Sequence, residues 1–240
     1  MLRLLALVYG VVAYLAFLAV FAACVAFVAN LGFVRGIDGG EPGAVMVSVA
    51  IDFGLVALFG VPHSVMARDW FKRGLVRVVP RAAERSTYVL VASATLGLLL
   101  WQWRPAPTTV WSVDASTVRA ALWGLSGVGV ALVVYSTFLT DHFDLLGLRQ
   151  VWLHARRQPY VPIPFSERGV YRIVRHPMMV GILLWFWATP SMSLGHLVFT
   201  AGMSTYIFVG TALEERDLSR HLGEAYVKYR TRAGRYIPWA

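Results

Sequence analysis

The sequence has little of what a soluble or disulfide-stabilised protein contains. Among its 240 residues there is one cysteine, and charged residues make up only 15%. A single cysteine excludes a disulfide framework within the chain. The hydrophobic share is 58%, above the roughly 45–50% that is usual in soluble domains. These scarcities indicate a membrane protein, in which Cys24 is predicted to be a packing residue.

Long uncharged stretches predict an all-α integral membrane protein. Residues 4–28 carry no charge and exceed the about 20 residues that cross a bilayer. Their length and the lack of a small-residue cleavage site argue against a signal peptide. We predict about six (five to six) transmembrane helices, because the fifth run is short and is expected either to cross or to form a tight apolar hairpin with the sixth. The predicted runs are residues 4–28, 44–66, 88–103, 120–139, 178–189 and 194–213.

Basic residues are distributed unevenly over this arrangement. The chain has 22 lysines and arginines against 13 acidic residues. All but Arg35, Arg104 and Arg119 fall on one side of a six-span arrangement. The positive-inside rule therefore predicts a bacterial inner-membrane protein with both termini in the cytoplasm. We attribute the net charge of +9 mostly to the basic cytoplasmic loops of this topology. Anionic lipid headgroups are a predicted secondary partner, and nucleic acid is not predicted to bind.

The polar motifs concentrate in the C-terminal part of the chain. We predict a four-helix transmembrane region over residues 1–140 and a region with the functional motifs over 141–240. Residues 158–165 contain three prolines and are predicted to be an extended loop. The apolar spacing over 214–231 predicts a cytoplasmic amphipathic tail helix. The glycines of GLSGVG (124–129) lie in an apolar run, so they are predicted to serve helix packing rather than a dinucleotide loop.

Two groups of polar residues are candidates for proton transfer. Asp52 lies in the middle of an apolar run, where an isolated carboxylate is costly, and His63, eleven residues later, is its candidate partner. The stretch DHFDLLGLRQ places His142 beside Asp141 and Asp144, at the predicted cytoplasmic boundary. A histidine exchanges a proton near neutral pH. The alternatives are a structural hydrogen bond for the first group and a solvated interfacial helix for the second.

The stretch RHPMMVG begins the fifth apolar run. Pro177 suits the first turn of a helix, because its missing N–H would be unpaired there anyway. Arg175 and His176 are therefore predicted to lie at a helix start. Gly181 allows a close approach to the backbone, and Met178 supplies an adaptable apolar wall.

Two adjacent carboxylates, Glu214 and Glu215, follow the sixth run. We predict that they close a ligand pocket opposite the RHPMMVG stretch, where paired carboxylates could hold a ribose diol or a cationic ligand. The alternatives are a helix cap or a salt bridge to Arg175. No metal site is predicted, since the six histidines are scattered and the lone cysteine lies in an apolar run.

The combination of GVYRIVRHPMMVG, an apolar hairpin and EERDL…GEAYVKYR…IP, over residues 166–238, resembles the isoprenylcysteine carboxyl methyltransferase-like integral membrane methyltransferases, which include phospholipid N-methyltransferases. The resemblance implies S-adenosylmethionine bound in a C-terminal pocket. The family's tyrosine in RHPxYxG is Met179 here, so that hydroxyl is not carried over. The implied pocket residues are Tyr171, Arg175, His176, Gly181, Glu214 and Glu215, with the backbone of Gly169 and Val170 bordering the adenine.

Further stretches resemble the bacterial methanethiol S-methyltransferases within that superfamily. This implies transfer of a methyl group from S-adenosylmethionine to methanethiol, giving dimethyl sulfide and S-adenosylhomocysteine. The alternatives are a lipid-like acceptor (a prenylcysteine carboxyl or a phospholipid amine) and a non-enzymatic transport or accessory protein. The polar residues lie at the predicted boundary rather than at the midplane, which disfavours a transporter. The stretches are HSVMAR (63–68), ERSTYVL (84–90), WQWRP (101–105), DHFDLLGLRQV (141–151) and FWATPSMSLGHLVF (186–199).

The implied reaction predicts roles for the polar side chains. Substitution at a sulfonium needs aligned reactants and exclusion of water, and a thiol reacts as its thiolate. The first candidate base is His142, oriented by Asp141 or Asp144, and the second is the Asp52 and His63 pair. Arg149 is an alternative group for stabilising the thiolate. The predicted partners are a small thiol and the bilayer, and the oligomeric state is left open.

Overall fold

A computed structural model describes residues 1–238. Within this range the chain is mostly helical, which confirms the predicted all-α class. The helices are α1 (Leu2–Val28), α2 (Val45–Met66), α3 (Asp69–Leu75), α4 (Glu84–Gln102), α5 (Ser116–Leu139), α6 (His142–Leu145), α7 (Leu148–Ala155), α8 (Pro177–Trp187), α9 (Leu194–Leu222) and α10 (Glu224–Arg230). Two short strands, β1 (Thr109–Ser112) and β2 (Ser191–Ser193), pair antiparallel.

Four helices are long and apolar enough to cross a membrane: α1, α2, α5 and α9. The prediction of an integral membrane protein is therefore confirmed. The third predicted run corresponds to α4, which has 19 residues and is outside those four. The fifth corresponds to α8, which has only 11 residues.

The described chain forms two compact units, each assembled from three segments. Unit 1 contains Met1–Thr108, Asp141–Ile163 and Leu194–Phe199. Unit 2 contains Thr109–Thr140, Pro164–Ser193 and the described chain from Thr200 onward. The predicted functional region 141–240 therefore contributes to both units.

Unit 1 is built around α1, which packs on α4 and α7. The contact with α7 is close, because a Cβ atom on Gly10 would lie 2.4 Å from Val151. The turn between α6 and α7 places Gly147 at φ +85° directly against the backbone of Ser86, a conformation that glycine adopts at little cost. Cys24 is buried in α1, as predicted for a packing residue.

Unit 2 is built around the contact of α5 with α8. A Cβ atom on Gly129 would lie 2.6 Å from the carbonyl oxygen of Gly181, and one on Gly181 would lie 2.7 Å from the carbonyl oxygen of Gly129. Two glycines thus let the backbones touch, as small residues do in membrane helix pairs. The packing role predicted for the GLSGVG glycines holds for Gly129, whereas Gly124 and Gly127 have no such neighbour within 4 Å among the described residues.

The fifth apolar segment continues beyond α8 as non-helical chain. The helix alone is about 16 Å long, and after a turn in which the Thr189 N–H donates to the carbonyl of Trp187 the chain enters β2. Along α5, the Ser126 hydroxyl donates to the carbonyl of Trp185, and the Val113 N–H donates to the carbonyl of Pro190. The segment therefore stays beside α5 beyond the end of α8, as far as the residues that precede α5.

The tail carries the predicted helix in two pieces. Residues 214–222 are the last turns of α9, and α10 follows after Gly223, whose φ of +55° breaks the helix. Tyr226 and Tyr229 are buried and pack with Leu218 and Leu222, which agrees with the predicted apolar face. The proline-rich residues 158–165 contain neither helix nor strand, as predicted.

Candidate active site

A buried charged group lies in unit 2 at the start of α8. Its centre is the carboxylate of Glu215 on α9, whose side chain is 4% exposed. Arg175 donates from Nε to Oε1 at 2.8 Å, and Arg235 donates from Nη2 to Oε2 at 2.6 Å. Nε2 of His176 lies 3.3 Å from Oε1. We call these four residues the Glu215 cluster.

Backbone hydrogen bonds bring the members of the cluster together. The Arg175 N–H donates to the carbonyl of Gly234 at 2.8 Å, and the His176 N–H donates to the carbonyl of Arg235 at 3.2 Å. In return, the Gly234 N–H donates to the carbonyl of Ile173 at 3.1 Å. Residues 231–236, here called the C-terminal strap, thus lie beside the segment that leads into α8. Pro177 occupies the first turn of that helix, as predicted.

Arg175 has little capacity left for a ligand. Its Nε binds Glu215, and its Nη1 donates to the carbonyls of Arg230 and Ala233 at 3.1 and 2.9 Å. The side chain is only 9% exposed. Arg175 therefore joins the end of α10 and the strap to Glu215, which matches the salt bridge that the sequence left as an alternative.

The two glutamates, which the sequence treats alike, differ in the structure. The side chain of Glu214 is 51% exposed, and its Oε2 lies 3.8 Å from Nδ1 of His176. Burial, together with the negative charge of Glu214, raises the pKa of Tyr171 to about 12, so this carboxylate also lies near Tyr171. Glu214 is therefore the carboxylate that solvent can reach, whereas the negative charge of Glu215 is balanced by Arg175 and Arg235.

A buried hydroxyl next to the cluster lacks a partner. Tyr226 is 1% exposed, and its OH makes no hydrogen bond with the described residues. Burial and the charge of Glu215 raise the pKa of Tyr226 to about 12, so the hydroxyl stays protonated. Since buried polar groups nearly always have a partner, this hydroxyl is a candidate donor to a bound molecule or to water.

The remaining predicted cofactor residues have other neighbours. Gly169 has φ +54°, and a Cβ atom there would lie 3.0 Å from Leu139 and from the Tyr135 hydroxyl. The close approach that Gly181 permits is made by α5.

The carbonyl groups of Val170 and Tyr171 already accept hydrogen bonds within the protein. The Val170 carbonyl accepts from the N–H groups of residues 173 and 174, and the carbonyl of Tyr171 accepts from the Tyr229 hydroxyl at 2.6 Å. Met178 is partly buried in the first turn of α8.

His142 lies in unit 1, at the start of the one-turn helix α6. It is buried, and its Nε2 lies 3.0 Å from the hydroxyl of Tyr14 on α1. Asp141 adopts φ +68° and caps the turn by accepting from the N–H of Asp144 at 3.0 Å. Burial lowers the pKa of His142, and the charge of Asp141 opposes this in part. A neutral imidazole, able to accept a proton, is therefore favoured. We call His142 with Tyr14 and Asp141 the His142 group.

The carboxylate of Asp144 is not directed to His142. Its Oδ1 accepts from Arg149 at 2.9 Å, and its Oδ2 accepts from the Tyr160 hydroxyl at 3.2 Å. Arg149 also donates to the carbonyl of Val161 at 3.0 Å. Asp144 and Arg149 thus tie the proline-rich loop to α7. The orienting partner of His142 that sequence reasoning missed is Tyr14, although a tyrosine hydroxyl in an apolar helix usually needs a partner.

The structure does not pair Asp52 with His63. Both lie on α2, about 16 Å apart along the helix axis. Asp52 is buried and its Oδ1 accepts from the backbone N–H of Arg104 at 2.9 Å. Nε2 of His63 lies 2.7 Å from the Tyr88 hydroxyl. The predicted pair is wrong, because the rise of the helix over eleven residues places the two side chains too far apart.

The helical membrane fold and the buried ionic centre at a helix start define an integral membrane protein with a polar site. The NnrU protein family matches residues 53–236, more than half of the chain. No solved structure gives a significant match.

Curated relatives match almost the whole chain. A methanethiol S-methyltransferase of Mycobacterium tuberculosis is 45% identical over 99% of this chain and 97% of its own length. Methanethiol S-methyltransferase 1 of Bradyrhizobium diazoefficiens is 44% identical over 99% of this chain and 83% of its own, and the protein of that name from Crocosphaera subtropica is 40% identical over 99% and 93%. The chain therefore belongs to the NnrU protein family and, within it, to the family of these relatives. The predicted family resemblance is confirmed.

Proposed function

We propose that the protein is a membrane methyltransferase that methylates methanethiol on sulfur, giving dimethyl sulfide. The observation that carries the proposal is the similarity, at 40–45% identity over nearly the whole chain, to relatives named for this reaction. The membrane setting suits the substrate, because a small apolar thiol partitions into the bilayer. We propose separate polar roles for the Glu215 cluster and the His142 group.

The methyl donor is proposed to be S-adenosylmethionine, which supplies an electrophilic methyl group on a sulfonium and becomes S-adenosylhomocysteine. The residues of unit 2 fit such a molecule. Glu214 offers an exposed carboxylate for ribose hydroxyls or an ammonium group, and Tyr226 offers a buried hydroxyl without a partner. His176 and the side chain of Tyr171, which lies near Glu214, complete the proposed pocket. Glu215 and Arg175 hold it in shape rather than contact the donor.

His142 is proposed as the base that takes the proton from the thiol. Its lowered pKa keeps the imidazole neutral, and a neutral imidazole can accept a proton whereas an imidazolium cannot. Tyr14 fixes the ring through Nε2. Arg149 is held by Asp144 and Val161, so we propose that it anchors the loop rather than stabilises the thiolate.

We further propose that the protein lies in the bacterial inner membrane with both termini in the cytoplasm. The distribution of the 22 lysines and arginines supports this orientation through the positive-inside rule. The basic loops would then face anionic headgroups of the inner leaflet.

The test of the reaction is headspace gas analysis. Purified protein in detergent receives S-adenosylmethionine and methanethiol, and dimethyl sulfide is measured. The variant Glu214→Gln should lose most activity, and the control Glu167→Gln should keep it, because Glu167 pairs with the exposed Arg232 and not with the Glu215 cluster within residues 1–238. If S-adenosylmethionine binds and no dimethyl sulfide forms, the thiol is the wrong acceptor, and a lipid-like acceptor replaces it.

A further inference from the structure

We infer that Arg235 binds the α-carboxylate of the methyl donor, through the guanidinium N–H groups that Glu215 leaves unused. The inference rests on the proposed function, since it presupposes S-adenosylmethionine in unit 2. Arg235 belongs neither to the RHPMMVG stretch nor to the pair Glu214 and Glu215, which are the motifs from which the sequence predicts the donor pocket.

The first support is the difference between the two arginines on Glu215. Arg175 is 9% exposed and uses its Nε and Nη1 within the protein. Arg235 is 41% exposed and uses only Nη2, which donates to Glu215. Its Nε and Nη1 make no hydrogen bond with residues 1–238. Arg235 is therefore the member of the cluster that can both reach a solvent-accessible ligand and donate to it.

The second support is the charge of the cluster. Two guanidinium groups meet the single carboxylate of Glu215, so one positive charge is left without a partner inside the cluster. The hydrogen bond to Glu215 also raises the pKa of Arg235, which keeps this side chain charged. A planar fork of N–H donors matches a carboxylate, and such charge-assisted hydrogen bonds are the strong ones. The methyl donor carries one carboxylate, on its amino-acid end.

The third support is the fixed position of the Arg235 backbone. The backbone around Arg235 lies beside the entry to α8, because its carbonyl accepts from the N–H of His176 and the Gly234 N–H donates to Ile173. The next residue, Tyr236, is hydrogen-bonded to Thr211 of α9. Arg235 is thus held from both sides, which lowers the entropic cost of presenting its guanidinium group.

The experiment compares two ligands by calorimetry on the purified full-length protein. S-adenosylhomocysteine carries the carboxylate, and its decarboxylated analogue keeps the nucleoside and the amine. The wild type should bind S-adenosylhomocysteine roughly tenfold to a hundredfold more tightly than the analogue. In Arg235→Gln this preference should disappear, while the Kd of the analogue stays unchanged. The matched control is Arg232→Gln, which removes a charge from the same strap without touching Glu215.

Each other result overturns the inference. Equal weakening of both ligands would make Arg235 a purely structural partner of Glu215, and an unchanged preference would remove it from the carboxylate. If Arg235→Gln does not fold, Arg235→Lys keeps the ion pair and should lose a smaller part of the preference, again with no change for the analogue. A wild type that binds neither ligand overturns the proposed cofactor as well, whereas loss of the inference alone leaves wild-type binding intact.

Discussion

The Glu215 cluster and the His142 group position a polar side chain in different ways. The Glu215 cluster holds a buried charge between two guanidinium groups, one from the segment before α8 and one from the C-terminal strap. The His142 group holds a buried ring, whose pKa is lowered by burial, beside the Tyr14 hydroxyl of α1 and a turn capped by Asp141. A buried charge must be compensated by several partners, whereas a neutral imidazole needs only orientation. The first arrangement suits binding of a charged ligand, and the second suits transfer of a proton.

Removing the centre of the Glu215 cluster should have the largest effect on stability. In Glu215→Ala two arginines lose their shared carboxylate, and breaking a buried ion pair on one side costs about 3 kcal/mol or more. The free energy of unfolding, measured in detergent with a chemical denaturant, should fall by that amount.

The matched variant is Glu214→Ala, whose exposed side chain predicts a change in unfolding free energy within about 0.5 kcal/mol. Its S-adenosylhomocysteine binding should weaken nonetheless. Similar stability losses in the two variants would contradict the division of roles between the glutamates.

Removing the imidazole should act on turnover instead of stability. His142→Ala should lower kcat by about a hundredfold, the usual range for loss of a general base, because the thiol then loses its proton acceptor. Binding of S-adenosylhomocysteine should stay within about twofold of wild type. Headspace analysis measures the first quantity and calorimetry the second, and an unchanged kcat removes His142 from the mechanism.

A smaller effect is expected from the hydroxyl that orients the base. Tyr14→Phe removes one hydrogen bond, worth about 1 kcal/mol, so kcat should fall about fivefold with KM little changed. The control is Tyr9→Phe on the same helix, because the Tyr9 hydroxyl binds Thr87 and not the base. Equal losses in the two variants would mean that Tyr14 acts only through packing.

The smallest predicted effect is a shift in the pH profile. Burial lowers the pKa of His142, so the base stays neutral at pH values where an ordinary histidine, with a pKa of about 6.5, is already protonated. Activity should therefore fall on the acid side only below about pH 6.5. An acid limb centred above pH 7 would show that another group titrates.

The sequence predicted the contacts between residues that belong to recognisable motifs. It missed the contacts made by residues outside those motifs. RHPMMVG and the glutamates could be placed together from their resemblance to a family. Tyr14 could not be assigned, because its partner is 128 residues away and depends on how α1 packs. Arg235 could not be assigned either, because it is brought to Glu215 by the backbone hydrogen bonds of the C-terminal strap. Asp52 and His63 failed as a pair because helical periodicity gives a shared face and not proximity.

The fold shows the same limit. Apolar runs located every long helix, since length and composition decide which segments can cross a bilayer. They did not predict the pairing of β1 with β2, which joins residues about 80 positions apart. Nor did they predict the break at Gly223, because a glycine inside an otherwise helical pattern can also continue the helix at a modest cost.

The C-terminal strap has a consequence for the order in which the ribosome makes the protein. Arg175 is synthesised 40 residues before Glu215, and Arg235 follows 20 residues after it. When Glu215 is first added to the chain, only one of its two guanidinium partners exists. Since earlier parts of a chain generally fold first during synthesis, the membrane helices can assemble while this carboxylate still lacks half of its compensation. The Glu215 cluster is therefore completed only after α9 and α10 have been synthesised.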